Sequence, residues 1–289
     1  MPRANWGFIG NLPVLIPPKA EQRRIAAFLD RETGKIDALV AKKRLLIERL
    51  KEKRAALISH AVTKGLDPNV PMKDSGIEWL GKVPEHWGLP PLYAKYNLVL
   101  GKMLDAKRIT GEFPVPYLRN VDVQWDHVNV ENLPEMDIEP GAYERFTLCK
   151  GDVLVCEGGE VGRTAIWNGE LDCCAYQKAI HRLRLIGDTE RSIPRFLYYA
   201  MRWAATTGIF IAAGNPNTIP HLTGEKLRVY RFPFPPIDEQ QAIAAHLDES
   251  GKRIDTLVTP VLNAIDRLLE YRTALISAAV TGKIDVRNV

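Results

Sequence analysis

The chain has 289 residues, 46% apolar and 26% charged, which is enough for one to three domains with real cores. It holds no run of about 18 apolar residues and no secretion-type apolar segment after Met1, so a membrane span and an export signal are not expected and the cytoplasm is. The net charge of +4 points only weakly to nucleic acid, and Cys149, Cys156, Cys173 and Cys174 form no Cys-x-x-Cys pair, so neither a zinc site nor a disulfide framework is signalled.

In chain order, residues 1–17 read as extended, with Asn11-Leu12-Pro13-Val14-Leu15-Ile16 running into Pro17-Pro18. A helical region follows over 18–65, since proline is tolerated where the first helical amides lack partners. Its apolar positions step by three and four through Ile36, Leu39, Leu46, Leu50 and Leu57, with a second stripe at Val40, Ile47, Arg54 and Ala61. Residues 1–75 carry 15 basic and 8 acidic groups, so the basic surplus sits here, around Lys42-Lys43-Arg44 and Lys51-x-Lys53-Arg54. That stripe is either a solvated face or one turned to phosphates or an acidic partner.

Residues 66–76 are rich in turn formers and read as a linker. The block 77–235 mixes short strands, turns and one helix. Tyr117–Val121, Asp152–Cys156, Ala165–Trp167 and Ala179–Ile186 are strand candidates, and Pro194–Ala205 has one apolar helical face. The block carries 18 basic and 19 acidic groups. Glu131, Glu135, Asp137, Glu139 and Glu144 form its acidic part.

The region 236–283 repeats the first helix. Pro17–Thr63 returns at an offset of 218 residues as Pro235–Thr281, without a gap and with 25 of 47 positions identical. The second apolar face is Ile254, Leu257, Val261, Leu268 and Leu275. Pro260 stands where the first copy has Lys42, and a kink or break is expected there. Residues 284–289 read as a tail. Two matched stripes predict an antiparallel pairing of the two helices, each spanning roughly 65 Å at 1.5 Å per residue.

Motifs for catalysis are missing. Gly158-Gly159-Glu160-Val161-Gly162 lacks the Gly-Lys-Ser/Thr ending of a phosphate loop. Asn215-Pro216-Asn217 is not the Asn-Pro-Pro-aromatic motif of adenine methyltransferases. The histidines His60, His86, His127, His181, His221 and His246 show no ligand spacing. No metal, cofactor or catalytic residue is expected.

The doubled Pro-Pro-x-x-Glu-Gln-x-x-Ile-Ala helices, each ending Leu-Ile-Ser-x-Ala-Val-Thr, resemble the conserved regions of type I restriction-modification specificity subunits. The central block looks like one of their target recognition domains. It shows Pro84-x-x-Trp87, Lys150-Gly151-Asp152-Val153-Leu154-Val155, Gly158-x-x-x-Gly162-Arg163 and Asn215-x-Asn217-x-Ile219-Pro220-x-Leu222. The resemblance implies an α+β fold: one mixed recognition domain between two long helices that form an antiparallel coiled coil. Members usually carry two recognition domains, and here there is one. Residues 1–17 look like the remnant of a preceding domain, parallel to the stretch that enters Pro235-Pro236.

The resemblance implies a non-catalytic subunit that binds double-stranded DNA and directs methyltransferase and restriction (translocase-nuclease) subunits to a bipartite target. One domain per chain leads to the expectation of a homodimer. The alternative is a decoy or scaffold that holds the methyltransferase without productive DNA recognition. Base edges are read in full only in the major groove, which directs attention to polar loops. The expected DNA contacts are Lys102, Lys107 and Arg108; Arg119 and Asn120; Arg163, Gln177 and Lys178; and Asn215, Asn217 and His221. Gly158 and Gly162 serve either a close approach to DNA or a tight turn.

Overall fold

A computed structural model describes residues 5–12, 15–105, 110–187, 192–212 and 221–286. The first element departs from expectation. Trp6–Gly10 form a short helix, α1, capped by the Asn5 side chain accepting from the Gly7 amide. The extended reading therefore fails for these residues; Pro13 and Val14 lie outside the described ones.

The helix α2 (Lys19–Lys64) starts where the sequence places it. The Pro18 carbonyl accepts from the Glu21 and Gln22 amides, and Gln22 Nε2 donates back to the Pro17 carbonyl at 2.8 Å. Then come β1 (Met72–Asp74) and β2 (Lys82–Pro84), an antiparallel hairpin, so the expected 66–76 linker already contains a strand. The remaining strands are β3 (Tyr96–Leu100), β4 (Pro114–Leu118), β5 (Val123–Gln124), β6 (His127–Val128) and β7 (Glu135–Asp137). After the turn α3 (Tyr143–Phe146) follow β8 (Val153–Cys156), β9 (Thr164–Ile166), β10 (Ala175–Tyr176) and β11 (Ile180–Leu185). The chain closes with α4 (Pro194–Thr206), α5 (Ile209–Ala212), α6 (Gly224–Val229) and α7 (Ile237–Val280).

Four strand candidates are found, with one shift: β4 ends at Leu118, and Asn120–Asp122 turn into a 3-10 helix. The reason is Asp122. Its carboxylate accepts from the Arg119 amide at 2.8 Å and closes a capping box that curls the chain out of the strand. The expected break at Pro260 is absent, because α7 runs through it unbroken. Pro260 and Thr256 are both exposed, so the carbonyl that loses its donor faces solvent.

The residues divide into two compact units, Met1–Lys53 with Lys252–Val289, and Arg54–Gly251. Parts of α2 and α7 belong to each. The first unit has one apolar cluster, built on Phe28, Ile36, Val40 and Ile47 with Ile265, Leu275 and Ala279. Asp37 and Arg272 form an ion pair at 2.9 Å. Of the positions expected to pair, Ile36 and Leu275 lie in this cluster, while Val261 and Leu268 border it. Ile254 is buried, and Leu50 and Leu57 are half-buried. Leu39, Leu46 and Leu257 are exposed. The buried line is the second stripe, through Val40 and Ile47, because neighbouring residues point about 100° apart around a helix. Ile284 and Val286, expected as a tail, pack on the same cluster.

In the second unit, β3-β11-β8-β9 form an antiparallel sheet. The sheet β10-β4-β7 combines a parallel and an antiparallel pairing. β8 is buried at every position: Val153 and Val155 share a cluster with Phe196, Leu197, Ala200 and Trp203 of α4, while Leu154 and Cys156 face a second cluster with Trp167 and Tyr176. The same cluster takes Ile58, Ala61 and Val62 from the end of α2, and Ile243 and Leu247 from the start of α7.

Candidate nucleic-acid interface

The loops that carry the expected contacts are joined by backbone hydrogen bonds. After β3 the Lys102 amide donates to the Tyr176 carbonyl (3.0 Å), the Lys178 amide to Lys102 (2.8 Å) and the Gln177 amide to Leu118 (3.0 Å). A Cβ on Gly101 would lie 2.3 Å from the Gln177 carbonyl oxygen, so the crossing needs glycine. Asn120 Nδ2 donates to the Gly158 carbonyl at 2.9 Å. The Leu222 amide donates to Glu157 at 2.8 Å, and His221 Nδ1 would meet a Cβ on Gly158 at 3.1 Å. Arg119, Asn120, Gln177, Lys178 and His221 thus share one strip of linked loops.

Their side chains are not equally available. Arg119 donates through Nε and Nη2 to the two Asp122 oxygens, each at 2.8 Å. That hydrogen bond raises the Arg119 pKa above its ordinary value. Burial pushes the Asp122 carboxyl upward, but the Arg119 side chain and amide outweigh it and hold it below the usual range. Arg163 Nη2 donates to the Asn120 carbonyl at 2.7 Å and to Asn120 Oδ1 at 3.0 Å. Arg163 and Asn120 are therefore bonded within the protein and brace the loop 157–162. Gly162 has φ +81°, and a Cβ there would lie 2.5 Å from the Phe210 ring, so its use is a tight turn against the core. Lys102 donates to the Asp137 carbonyl at 2.7 Å and lies 3.8 Å from Glu139, within the acidic part of the block. Among the described residues the side chains of Gln177, Lys178 and His221 have no hydrogen-bond or ion-pair partner, and Lys178 and His221 are exposed. Lys107, Arg108, Asn215 and Asn217 lie outside the described residues.

Three anchors between the block and the start of α7 have no counterpart in the sequence reading. Glu239 accepts from Trp87 Nε1 at 2.9 Å and bonds His86 Nε2 at 2.5 Å. Gln240 Oε1 accepts from the Ile193 amide at 3.0 Å while its Nε2 donates to Pro235 at 2.8 Å. Asp248 accepts from Arg195 Nε at 2.7 Å and from the Tyr199 hydroxyl at 2.6 Å. Arg195 also pairs with Asp126 and lies 4.7 Å from the Tyr198 ring centre. Burial alone would lower its pKa, but the two carboxylates overcome this and raise it. Pro84-x-x-Trp87 and Glu239-Gln240 are visible motifs; the link between them is a long-range contact that spacing cannot reveal. Among the described residues, no cluster of three His, Cys, Asp or Glu could hold a metal, and no helix is long and apolar enough to cross a membrane.

A family model described as the type I restriction modification DNA specificity domain matches residues 101–267, which include Lys102, Arg119, Asn120, Gln177, Lys178 and His221. The chain belongs to this family. Among curated relatives, the MjaVIII specificity subunit of Methanocaldococcus jannaschii is 23% identical over 297 residues, covering 100% of this chain and 66% of that protein. The EcoKI specificity subunit of Escherichia coli strain K12 is 23% identical over 287 residues, covering 95% of this chain and 58% of its own length. The chain thus spans about three fifths to two thirds of the length of these two relatives. A chain from a structure concerned with assembly and conformational transition of the type I R-M system superposes with TM-score 0.71 at 18% identity. It covers 92% of this chain and 60% of that one. The HsdS subunit from Thermoanaerobacter tengcongensis gives TM-score 0.57 at 18% identity, covering 94% and 61%. The α+β fold with a long N-terminal and a long C-terminal helix is common to this specificity-domain protein and those structures.

Proposed function

We propose that this chain is the DNA-recognition subunit of a type I restriction-modification complex and directs methyltransferase and translocase-nuclease subunits to a bipartite target. It contributes no catalytic group of its own. The observation that carries the reading is the family match across the block that holds the polar strip. Lys178, Gln177 and His221 are the side chains best placed for DNA. A lysine suits phosphate, and a glutamine suits the adenine edge in the major groove. Arg119 presents a guanidinium already aligned by Asp122, while Asn120, Arg163 and Lys102 hold the strip in shape.

In this reading α2 and α7 form an antiparallel coiled coil that separates two recognition sites. The shared cluster supports it, as do two contacts in which one residue number rises while the other falls: Asp37 with Arg272, and Arg54 Nη2 with the Gly251 carbonyl at 3.4 Å. The unit from 77 to 235, extended to the hairpin at Met72, is the recognition domain. A bipartite target needs a second one. Two copies of this chain would supply it and impose an inverted repeat, because two-fold protein symmetry demands symmetric half-sites. A different recognition domain would give unlike halves.

The test is a gel shift with the purified chain, with and without co-expressed methyltransferase, followed by sequencing of methylated sites. Specific retention of a bipartite site in the presence of methyltransferase is expected. Assembly with the methyltransferase but no sequence preference would favour the decoy.

A further inference from the structure

Arg119 and Asp122 form more than a charge pair. The Asp122 side chain is 2% exposed and the Arg119 side chain 41%. The carboxylate takes Nε on Oδ2 and Nη2 on Oδ1, each at 2.8 Å, and so occupies the side edge of the guanidinium. Of the five N–H groups of a guanidinium, this leaves both on Nη1 and one on Nη2. One from each Nη points along the outer edge of the plane, where the two form a parallel pair of donors. Among the described residues Nη1 has no hydrogen-bond partner.

The turn beneath this fork is fixed. Asp122 also accepts from the Arg119 amide at 2.8 Å and closes the capping box. Asn120 Nδ2 donates to the Gly158 carbonyl at 2.9 Å, and Gln124 Nε2 to the Val121 carbonyl at 2.7 Å. The Asn129 amide donates to the Asp122 carbonyl at 2.8 Å, and the Gln177 amide to Leu118 at 3.0 Å. The outer edge of Arg119 is thus a pre-set pair of donors on a braced backbone, within the polar strip.

Two groups on DNA offer paired acceptors to such an edge: a phosphate, and N7 with O6 of guanine in the major groove. Charge decides between them. Asp122 neutralises the guanidinium at 2.8 Å, which weakens its pull on an anion. A neutral base edge asks for direction instead, and the bound carboxylate supplies it before DNA arrives, sparing side-chain entropy on binding. Adenine is excluded because it sets its N6 amino donor against the second N–H. We propose that Arg119 reads a guanine through its outer pair of N–H groups, with Asp122 as the positioning residue that holds the fork. The proposal rests on the functional reading above and deepens it, since it names one base of the half-site that this chain reads.

The experiment uses the full chain co-expressed with its methyltransferase. The methylated target is mapped in cells. The purified complex is then titrated with duplexes of that target in which each guanine in turn is replaced by 7-deazaguanine, which lacks N7, or by adenine. One guanine is expected at which 7-deazaguanine weakens binding of the wild type about tenfold and leaves binding of Arg119→Ala unchanged. Asp122→Asn should keep binding the target while losing most of the preference for guanine over adenine at that position. Across a salt series, Arg119→Ala should keep the log–log slope of the wild type. A slope smaller by about 0.9, with the 7-deazaguanine effect intact, would make Arg119 a phosphate contact and overturn the proposal. So would a target half without guanine, or guanines that all respond alike in wild type and Arg119→Ala. Urea midpoints accompany each variant. Where Arg119→Ala alone unfolds, the double variant with Asp122→Asn takes its place, because it leaves no unpaired carboxylate. A specific methylated target without the coupling sinks the guanine reading alone, whereas no methylation with the unmodified chain sinks the functional reading and this one with it.

Discussion

Side chains that look interchangeable in the sequence have distinct tasks in the strip. Lys178 and Arg163 were both candidates as cations on polar loops. Lys178 is exposed, while Arg163 is bonded to Asn120. Lys178→Ala is expected to weaken DNA binding and to reduce the log–log salt slope by about 0.9, with no change in melting temperature. Arg163→Ala should instead lower stability by about 1–3 kcal/mol, since it removes the charged donor that the half-buried Asn120 acceptors share. Gel shifts across a salt series, with urea melts, check both; an unaltered salt slope for Lys178→Ala would remove it from the interface.

His181 is a third case. It is buried, bonds the Leu222 carbonyl at 2.8 Å, and burial lowers its pKa below the ordinary value. The unfolded chain takes up its proton near pH 6.5 and the folded chain only lower. Between the two the unfolded state binds more protons, so stability falls as pH drops through that interval. His181→Gln should flatten the decline of the urea midpoint between pH 7 and 5, and an identical decline would refute this. The sequence lists these groups but not their partners. Asp122 sits three residues from Arg119 and could be guessed; Glu239 lies too far from Trp87 for any local pattern.

At the scale of elements, periodicity finds the helices and misjudges their faces. Both long helices, α4 and the main strands are legible from apolar spacing, because burial in water selects apolar residues at the period of each element. The choice between two adjacent stripes is not, since Leu39-Leu46 and Val40-Ile47 are equally apolar. Only the packed structure decides for Ile47, which is buried while Leu46 is exposed. Ile47→Asp should therefore cost about 3 kcal/mol or more by placing an unpaired charge in the cluster. Leu46→Asp should stay within about 0.5 kcal/mol. Equal losses, measured by thermal melts, would mean that this cluster is not what joins the helices. Pro260 belongs here too. Since α7 does not break, Pro260→Ala restores a backbone donor without changing the path and should raise stability by up to about 3 kcal/mol. No gain in the melting temperature would show that the proline already suits its site.

For the whole molecule, the repeat was legible from identity alone, and so was the family. What was hidden is that the two copies differ in burial: Val62 is buried, whereas its repeat equivalent Val280 is exposed. If α2 and α7 set the separation of two half-sites, a seven-residue insertion in both adds about 10 Å of helix. The preferred gap should then lengthen by roughly three base pairs at 3.4 Å each. Sequencing of methylated sites reads this directly, and an unchanged gap would detach spacing from helix length.

The two ends of the recognition block meet before it joins the helices. The Gly88 amide donates to Phe234 at 3.2 Å, the Phe234 amide to Gly88 at 2.9 Å, and the Leu92 amide to Tyr230 at 3.0 Å. The block is thereby a closed loop clasped at its neck. Residues added to or lost from its interior turns leave the neck where it is, and lengthening a loop costs only fractions of a kcal/mol per few residues. If the strip reads DNA and the helices set the spacing, as proposed, the two tasks can drift apart in evolution, since turns within the block can be rewritten without opening its neck.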